Sequence, residues 1–423
     1  MEYKFALLNY STENIGDEVQ SIAARRFLPR IDEYVDRDKL AEWEPNQPTK
    51  FIMNGWYNRD PKGWPPKNSD LLKPLLTSIH VSVKDDAVRE AFETTESLDF
   101  LKKNGPVGAR DEQTLEFFKQ QGLETYFSGC VTLTLQRDPD IKKQDFILAV
   151  DVPKDVVKKM RESTKREVIE LSVYHYPFLE NEERFKVAEY ILALYQSAHA
   201  VVTTRLHCFM PSLAFETPVL LIKDSEKYEP ARYGGLDTLP HSLTDKEYIE
   251  HPEKYPLDNP FPNPTEFKTI REEMIERIQR FTGYSNNATF RTLPLSEFPL
   301  SISAIRIFAF TWSSTYKKAL LEGDVAWDEE RIADFERIVA EQAEEISILN
   351  TTKQELHQDI KSLNTTKQEL HQDIKSLNNV IVSKATEIDY LTNEIKKIEN
   401  SLSWKLTKPL REMKSVLKKI IKR

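Results

Sequence analysis

The sequence predicts an α/β fold: two parallel-sheet domains in tandem, followed by a long α-helical coiled coil. Three observations predict it. Short apolar runs alternate with helical patterns twice over, across 1–135 and again across 146–285, as parallel strands joined by helical crossovers do. A polar, proline-bearing stretch from Gln136 to Gln144 separates the two sets. From Ile332 onward the apolar period changes to seven, the repeat of a coiled coil. The expected segments are 1–140, 141–285, a connecting piece 286–330 that packs back on the body against the first domain, a coiled coil 331–402 and a basic amphipathic tail 403–423.

Phe5–Leu8 reads as a central strand. It runs into Asn14-Ile-Gly16-Asp17 and then into a helix with Ile22, Ala23, Phe27 and Leu28 at helical spacing, ended by Pro29. Strand, glycine-containing loop and helix open a Rossmann-like unit, where a helix N-terminus can hold an anion. Asn14 and Asp17 either contact such a ligand or cap the helix. Lys50–Trp56 is a second strand. The aromatic residues Trp56, Tyr57 and Trp64 form either a stacking surface for a sugar or a small core of their own loop. Ser78–Val83 is a third strand, with His80 near its middle or start. Asp111 is a natural N-cap for the next helix, and Arg110 before it is either an anion ligand or a surface ion-pair partner. Tyr126–Leu135 is β-biased in composition.

In the second set, Phe146–Val150 and Val168–Tyr174 read as strands, and Glu183–Gln196 as a helix. Val201-Val-Thr-Thr-Arg-Leu-His-Cys208 then reads as a buried strand, a loop and a short helix. Its loop offers Thr203, Thr204, Arg205 and His207: a fixed cation and a titratable imidazole two residues apart, which suits an anionic substrate undergoing proton transfer. The alternative is an ion-paired Arg and a His filling a polar corner. Helix Pro264–Thr282 closes this set, with Phe267, Ile270, Met274, Ile275 and Ile278 at helical spacing.

The coiled coil rests on Ile332, Val339, Ile346, Ile360, Ile374, Ile381, Ile388 and Ile395 on one seam, with Leu349, Leu356, Leu363, Leu370, Leu377 and Leu391 on the second. Ile at the first seam and Leu at the second favour a parallel homodimer. Leu349–Ser362 recurs unchanged as Leu363–Ser376. That repeat is two heptads long and lengthens the rod without breaking its phase. In the tail, Leu406, Leu410, Met413, Leu417 and Ile421 form an apolar stripe among lysines and arginines. It suits either an anionic membrane surface or a docking partner.

Bulk composition narrows the function. In 423 residues the hydrophobic share is 39% and the charged share 30%, which points to a long solvated part. A net charge of -9 argues against nucleic-acid binding. Cys130 and Cys208 alone make no disulfide framework or cysteine cage, and the histidines are scattered without metal-site spacing. No metal and no cofactor are therefore expected. Phe5–Leu8 is too short for a signal-peptide core, and no apolar run reaches the roughly 18 residues of a membrane span. The expected location is cytoplasmic, with peripheral contact at the inner membrane face as one reading of the tail.

Asn14–Gln20, Asn54-Gly-Trp56, Gly108–Thr114, Ser128–Thr134 and Thr203–His207 with Thr217-Pro218 together resemble the polysaccharide pyruvyl transferase family, over about residues 1–285. The resemblance implies a two-domain fold like that of the B-type glycosyltransferases. It implies phosphoenolpyruvate as donor substrate and a sugar as acceptor, joined through a pyruvate ketal in a surface polysaccharide or its precursor. The family's Arg-Leu-His triplet falls on Arg205, Leu206 and His207, and its other anion-binding arginine on Arg110. The residues then take these roles: His207 and Asp17 catalytic, and Arg205, Arg110, Asn14, Gly16, Thr204 and His80 substrate-binding. Arg205 and Arg110, one from each domain, would clamp the donor across a cleft. A nucleotide-sugar-dependent glycosyltransferase of the same overall fold is the alternative, and a sugar-binding scaffold without chemistry a third reading.

Overall fold

The computed structural model describes residues 3–57, 63–67, 70–174, 181–285, 300–306, 308–309 and 312. The predicted coiled coil, the basic tail and most of the connecting piece lie outside the described residues. Among those described, no helix is long and apolar enough to cross a membrane.

Two all-parallel sheets make the body. The first contains β1 (Lys4–Asn9), β2 (Glu33–Asp36), β3 (Thr49–Trp56), β4 (Leu72–His80), β5 (Val107–Ala109) and β6 (Thr125–Phe127), in the order β2-β1-β3-β4-β5-β6. The second contains β7 (Phe146–Val150), β8 (Glu167–Leu171), β9 (Ala200–Thr203), β10 (Val219–Lys223) and β11 (His241–Thr244), in the order β8-β7-β9-β10-β11. Each sheet thus reverses direction once, between its first and third strands. Open α/β sheets bind ligands at the strand carboxyl ends beside such a reversal. The apolar runs are continuous because helices cover both faces: Phe146–Val150 is buried throughout.

The helices of the first set are α1 (Gly16–Arg25), α2 (Asp86–Glu93), α3 (Thr95–Asn104) and α4 (Glu112–Gln120). Those of the second are α5 (Lys154–Ser163), α6 (Asn181–Ser197), α7 (Leu206–Ala214), α8 (Pro230–Tyr233) and α9 (Asp245–Glu250), and α10 (Phe267–Thr282) follows. Helices α1 and α6 join the two sheets. Arg184 of α6 donates to Glu18 of α1 at 2.5 Å, and Arg25 of α1 pairs with Glu189 of α6. The loop after β1 is strapped to the second sheet as well, where Ile15 N–H donates to Val173 carbonyl at 3.0 Å.

Two expectations are corrected. His80 is the last residue of β4, at its carboxyl edge, because the strand begins earlier, at Leu72. The stretch Val131–Thr134 is a 3-10 turn, despite its β-branched residues, because Gly129 at φ +64° breaks the strand after Phe127. The crossing back to the first domain is made by α10, whose Arg277 lies over the Tyr126 ring at 3.8 Å. Of the connecting piece, the described residues of 300–312 contact the second sheet's side of the body: Trp312 Nε1 donates to Ser172 carbonyl at 3.0 Å, and Arg306 pairs with Glu167.

Candidate active site

The loops after β1, β4 and β5 meet the loop after β9 and helix α8 at the carboxyl ends of the strands. Sequence places a glycine at this meeting where a side chain would crowd its neighbours. A Cβ on Gly16 would stand 3.0 Å from Asn14 Oδ1 and 3.1 Å from His207 Cβ. The imidazole of the second sheet is therefore packed on the first turn of α1.

Asn14 turns out to serve the backbone: its Oδ1 accepts from Gly16 N–H at 2.9 Å, and its carbonyl accepts from Asp17 N–H at 3.1 Å. Asp17 lies in the first turn of α1, where a carboxylate favours the helix dipole. It accepts from Thr12 Oγ1 at 2.7 Å and from Gln20 Nε2 at 3.3 Å. Asn14 thus takes up two of the first N–H groups of α1 from within the protein. Burial pushes the Asp17 carboxyl up, but Arg37 beside it and the Thr12 hydrogen bond outweigh burial and hold it below the usual range.

Arg37 was not legible as a site residue. It is buried over the Tyr10 ring at 4.9 Å, held by Asp38 through two hydrogen bonds of 3.0 and 3.1 Å. Its Nη1 stands 3.6 Å from Asp17 Oδ2 and makes no hydrogen bond.

Arg110 is 1% exposed, and its Nε and Nη2 are buried without hydrogen-bond partners. The nearest carboxylate, Asp111 Oδ2, is 3.6 Å from Nε. Desolvation lowers the guanidinium's proton affinity despite Asp111, so the group is held charged in a place that does not pay for it. Next to it, His80 Nδ1 contacts Asp111 Oδ2 at 2.5 Å. Asp111 Oδ1 accepts from Thr114 N–H at 3.0 Å as the cap of α4.

His207 is 9% exposed, with a non-helical backbone at the start of α7, and its buried Nε2 has no hydrogen-bond partner. Burial holds its pKa down to about 3. Asp17 opposes that shift, while Arg110, Arg232 and Arg37 reinforce it. These same groups define one cluster: His207, Asp17 and three guanidiniums acting on each other. Arg232, on α8, is the second residue that the sequence did not single out. It lies over the Trp56 ring at 4.6 Å, with its Nε buried and without a hydrogen-bond partner.

Arg205, the other half of the predicted clamp, has its partners in the second domain. Arg205 Nε donates to Asp151 Oδ2 at 2.9 Å, Nη1 donates to Tyr174 hydroxyl at 3.0 Å, and the guanidinium stacks on that ring at 4.4 Å. The cation that shares the cluster with Arg110 is Arg232. Thr204 Oγ1 donates to Asp151 carbonyl at 2.9 Å, so its proton is not available to an anion. Thr204, Arg205, Asp151 and Arg232 instead line a cavity of about 500 Å³ at the ends of β7, β9 and β10. The proposed aromatic platform divides. Trp64 is stacked on Phe92 at 4.2 Å and Tyr57 packs against Trp64, both in the core. Only Trp56 faces the cluster.

The neutral His207 has a consequence for stability. Folded, it stays unprotonated down to about pH 3, whereas in the unfolded chain it takes a proton near 6.5. Between those values the unfolded state binds the extra proton, so stability is full above about 6.5 and falls with pH by about 1.4 kcal/mol per unit. Urea denaturation at about pH 7 and about pH 5 should show wild type losing roughly 2 kcal/mol more than His207→Gln. Equal losses would place the imidazole in a solvated setting.

A family model described as polysaccharide pyruvyl transferase matches residues 14–226 of the 423. Among solved structures, the E. coli heptosyltransferase WaaC with ADP shares 12% identity, covering 59% of this chain and 99% of its own, at a TM-score of 0.29. A glycotransferase of kitacinnamycin shares 9% identity, covering 67% of this chain and 98% of its own, at a TM-score of 0.27. No curated protein matches.

Proposed function

The chain belongs to the polysaccharide pyruvyl transferase family, and on that premise we propose that it transfers pyruvate from phosphoenolpyruvate to two hydroxyls of a surface-polysaccharide sugar or its precursor, closing a ketal. The observation that carries this reading is Arg110: a fully buried guanidinium with two N–H edges lacking partners. Such a group is costly in the free protein and is made good by a ligand that brings its own negative charge. Phosphoenolpyruvate brings a carboxylate and a phosphate. Arg110 and Arg232 bind them, and Arg37 holds Asp17 ionised. Asp17 in turn orients an acceptor hydroxyl and offsets the positive charge that develops on the ketal carbon. His207, with its bare Nε2, moves protons on the donor side.

One observation favours a second reading, a nucleotide-sugar-dependent glycosyltransferase. The cavity beside Arg205 also takes in the first turn of α5, Lys154–Val156, a fitting place for a diphosphate. Thermal unfolding of the full chain separates the two. A ligand at about 100 times its Kd should stabilise by roughly 2.7 kcal/mol. Phosphoenolpyruvate is expected to raise the Tm of wild type and not of Arg110→Met. A rise with uridine-diphosphate sugars alone would transfer the assignment to glycosyl transfer.

A further inference from the structure

We propose that His80, oriented by Asp111, is a second proton-transfer group of the reaction, taking the proton of an acceptor hydroxyl while His207 serves the phosphoenolpyruvate carbon. The inference rests on the pyruvyl-transfer reading and adds a residue and a division of labour to it.

The geometry is that of an oriented base. His80 ends β4 at the carboxyl edge of the first sheet, and only 3% of it is exposed. Its Nδ1 meets Asp111 Oδ2 at 2.5 Å. Asp111 is itself fixed, because Oδ1 accepts from Thr114 N–H at 3.0 Å. An imidazole that donates Nδ1–H to a carboxylate presents an unprotonated Nε2. That nitrogen takes no hydrogen bond from a described residue; Thr114 Oγ1 lies 3.5 Å from Nδ1, and the Trp56 ring lies 6.0 Å from the imidazole. Trp56 carries Arg232 on its face. Arg110 and Arg232 act electrostatically on both histidines. His80 and His207, one from each sheet, thus stand around the same two cations.

A purely structural role explains this poorly. A buried carboxylate–imidazole pair beside guanidiniums is less stabilising than apolar residues of the same volume. Burial and Arg110 hold the His80 pKa down to about 4 against the pull of Asp111, so the ring is neutral at neutral pH, as a base must be.

The proton inventory of the reaction calls for two such groups. Ketal closure releases two hydroxyl protons; one ends on the vinyl carbon, making it a methyl group, and one leaves on the phosphate. In the first half, His207 as imidazolium protonates the vinyl CH2. The first hydroxyl oxygen bonds to the neighbouring carbon and gives its proton to His80 Nε2. In the second half, the carbon–oxygen bond to phosphate breaks and His80 returns its proton to the departing phosphate. The second hydroxyl then bonds to the same carbon, and its proton restores the His207 imidazolium. Atoms and charges balance over the cycle, and Asp111 stabilises the transient His80 imidazolium through Nδ1.

The test uses the full chain with ring-¹⁵N histidine, the signals being assigned with His80→Gln and His207→Gln. Phosphoenolpyruvate binding to wild type is measured first by calorimetry; its absence removes the pyruvyl reading and this proposal with it. At neutral pH the expected His80 signal is a neutral ring protonated at Nδ1 with bare Nε2. Asp111→Asn, which keeps the α4 cap oxygen, is expected to shift the ring to the Nε2–H tautomer. A wild-type ring protonated at Nε2 would overturn the proposal while leaving donor binding intact. Phosphate release from phosphoenolpyruvate with a panel of methyl hexopyranosides supplies the kinetic arm. There His80→Gln should lower kcat by about a hundredfold or more, with KM for phosphoenolpyruvate within threefold. Retention of more than a third of kcat would overturn the role of His80 alone. If no sugar in the panel is turned over, the tautomer decides.

Discussion

Replacing Arg110 with methionine should raise the stability of the ligand-free protein and abolish its affinity for phosphoenolpyruvate. The two effects have one cause. Nε and Nη2 of Arg110 are buried with no hydrogen-bond partner among the described residues, and the Asp111 carboxylate, 3.6 Å from Nε, is already engaged by His80 and Thr114. Methionine removes the desolvation penalty of a buried charge, several kcal/mol per ion, and gives up only the loose 3.6 Å pairing with Asp111, whose carboxylate keeps its contacts with His80 and Thr114. A gain of about 1 kcal/mol would lift Tm by roughly 2 °C in a body of this size. Removing one partner of a buried, hydrogen-bonded charge pair in the complex costs about 2–5 kcal/mol, so Kd should rise by about thirtyfold to a few thousandfold. Calorimetry with and without phosphoenolpyruvate reads both effects. A Tm that falls by several degrees with Kd unchanged would make Arg110 a structural ion-pair member and leave the cluster without its anion ligand.

How far the sequence revealed this site depends on the kind of contact involved. The strands of the two sheets were legible because a parallel strand covered on both faces reads as an unbroken apolar run, as Phe146–Val150 does. Sheet order was not, since it is fixed by pairings between distant segments such as Val150 with Thr203. Gly16 and His207 were picked out separately; their contact is a matter of packing between two sheets. Arg37 stayed hidden inside Asp36-Arg-Asp-Lys39, a run that reads as a solvated surface, whereas the Arg is buried over Tyr10. Arg232 had no motif to mark it, and its position follows from the short helix α8 folding over Trp56. Arg205 is the opposite case: its motif marks it at once, while its partners in the fold, Asp151 and Tyr174, come from distant segments that no motif announces. For Cys130–Leu135, local β-propensity lost to a left-handed glycine and to the packing of α7 and α10 around the turn.

His207→Gln should lower kcat by about a hundredfold to ten-thousandfold and should also remove a proton that wild type takes up when phosphoenolpyruvate binds. In the free protein the imidazole is neutral because burial and three guanidiniums outweigh Asp17, which holds its pKa down to about 3. The bound ligand reverses that balance. One negative charge at about 4 Å, with an effective dielectric constant near 20, favours the imidazolium by about 4 kcal/mol, or roughly three pKa units. The ligand carries more than one such charge, so the expected shift is larger than that of a single charge. On the proposed function, the pKa of His207 is therefore expected to rise toward neutrality in the complex, so that binding the donor would itself supply the imidazolium for the vinyl carbon. Titrations near pH 7 in two buffers of different ionisation enthalpy should show about one proton taken up per phosphoenolpyruvate by wild type, and close to none by His207→Gln. Equal uptake in both proteins would place the proton on another group, and the donor-side acid would then have to be sought elsewhere in the cluster.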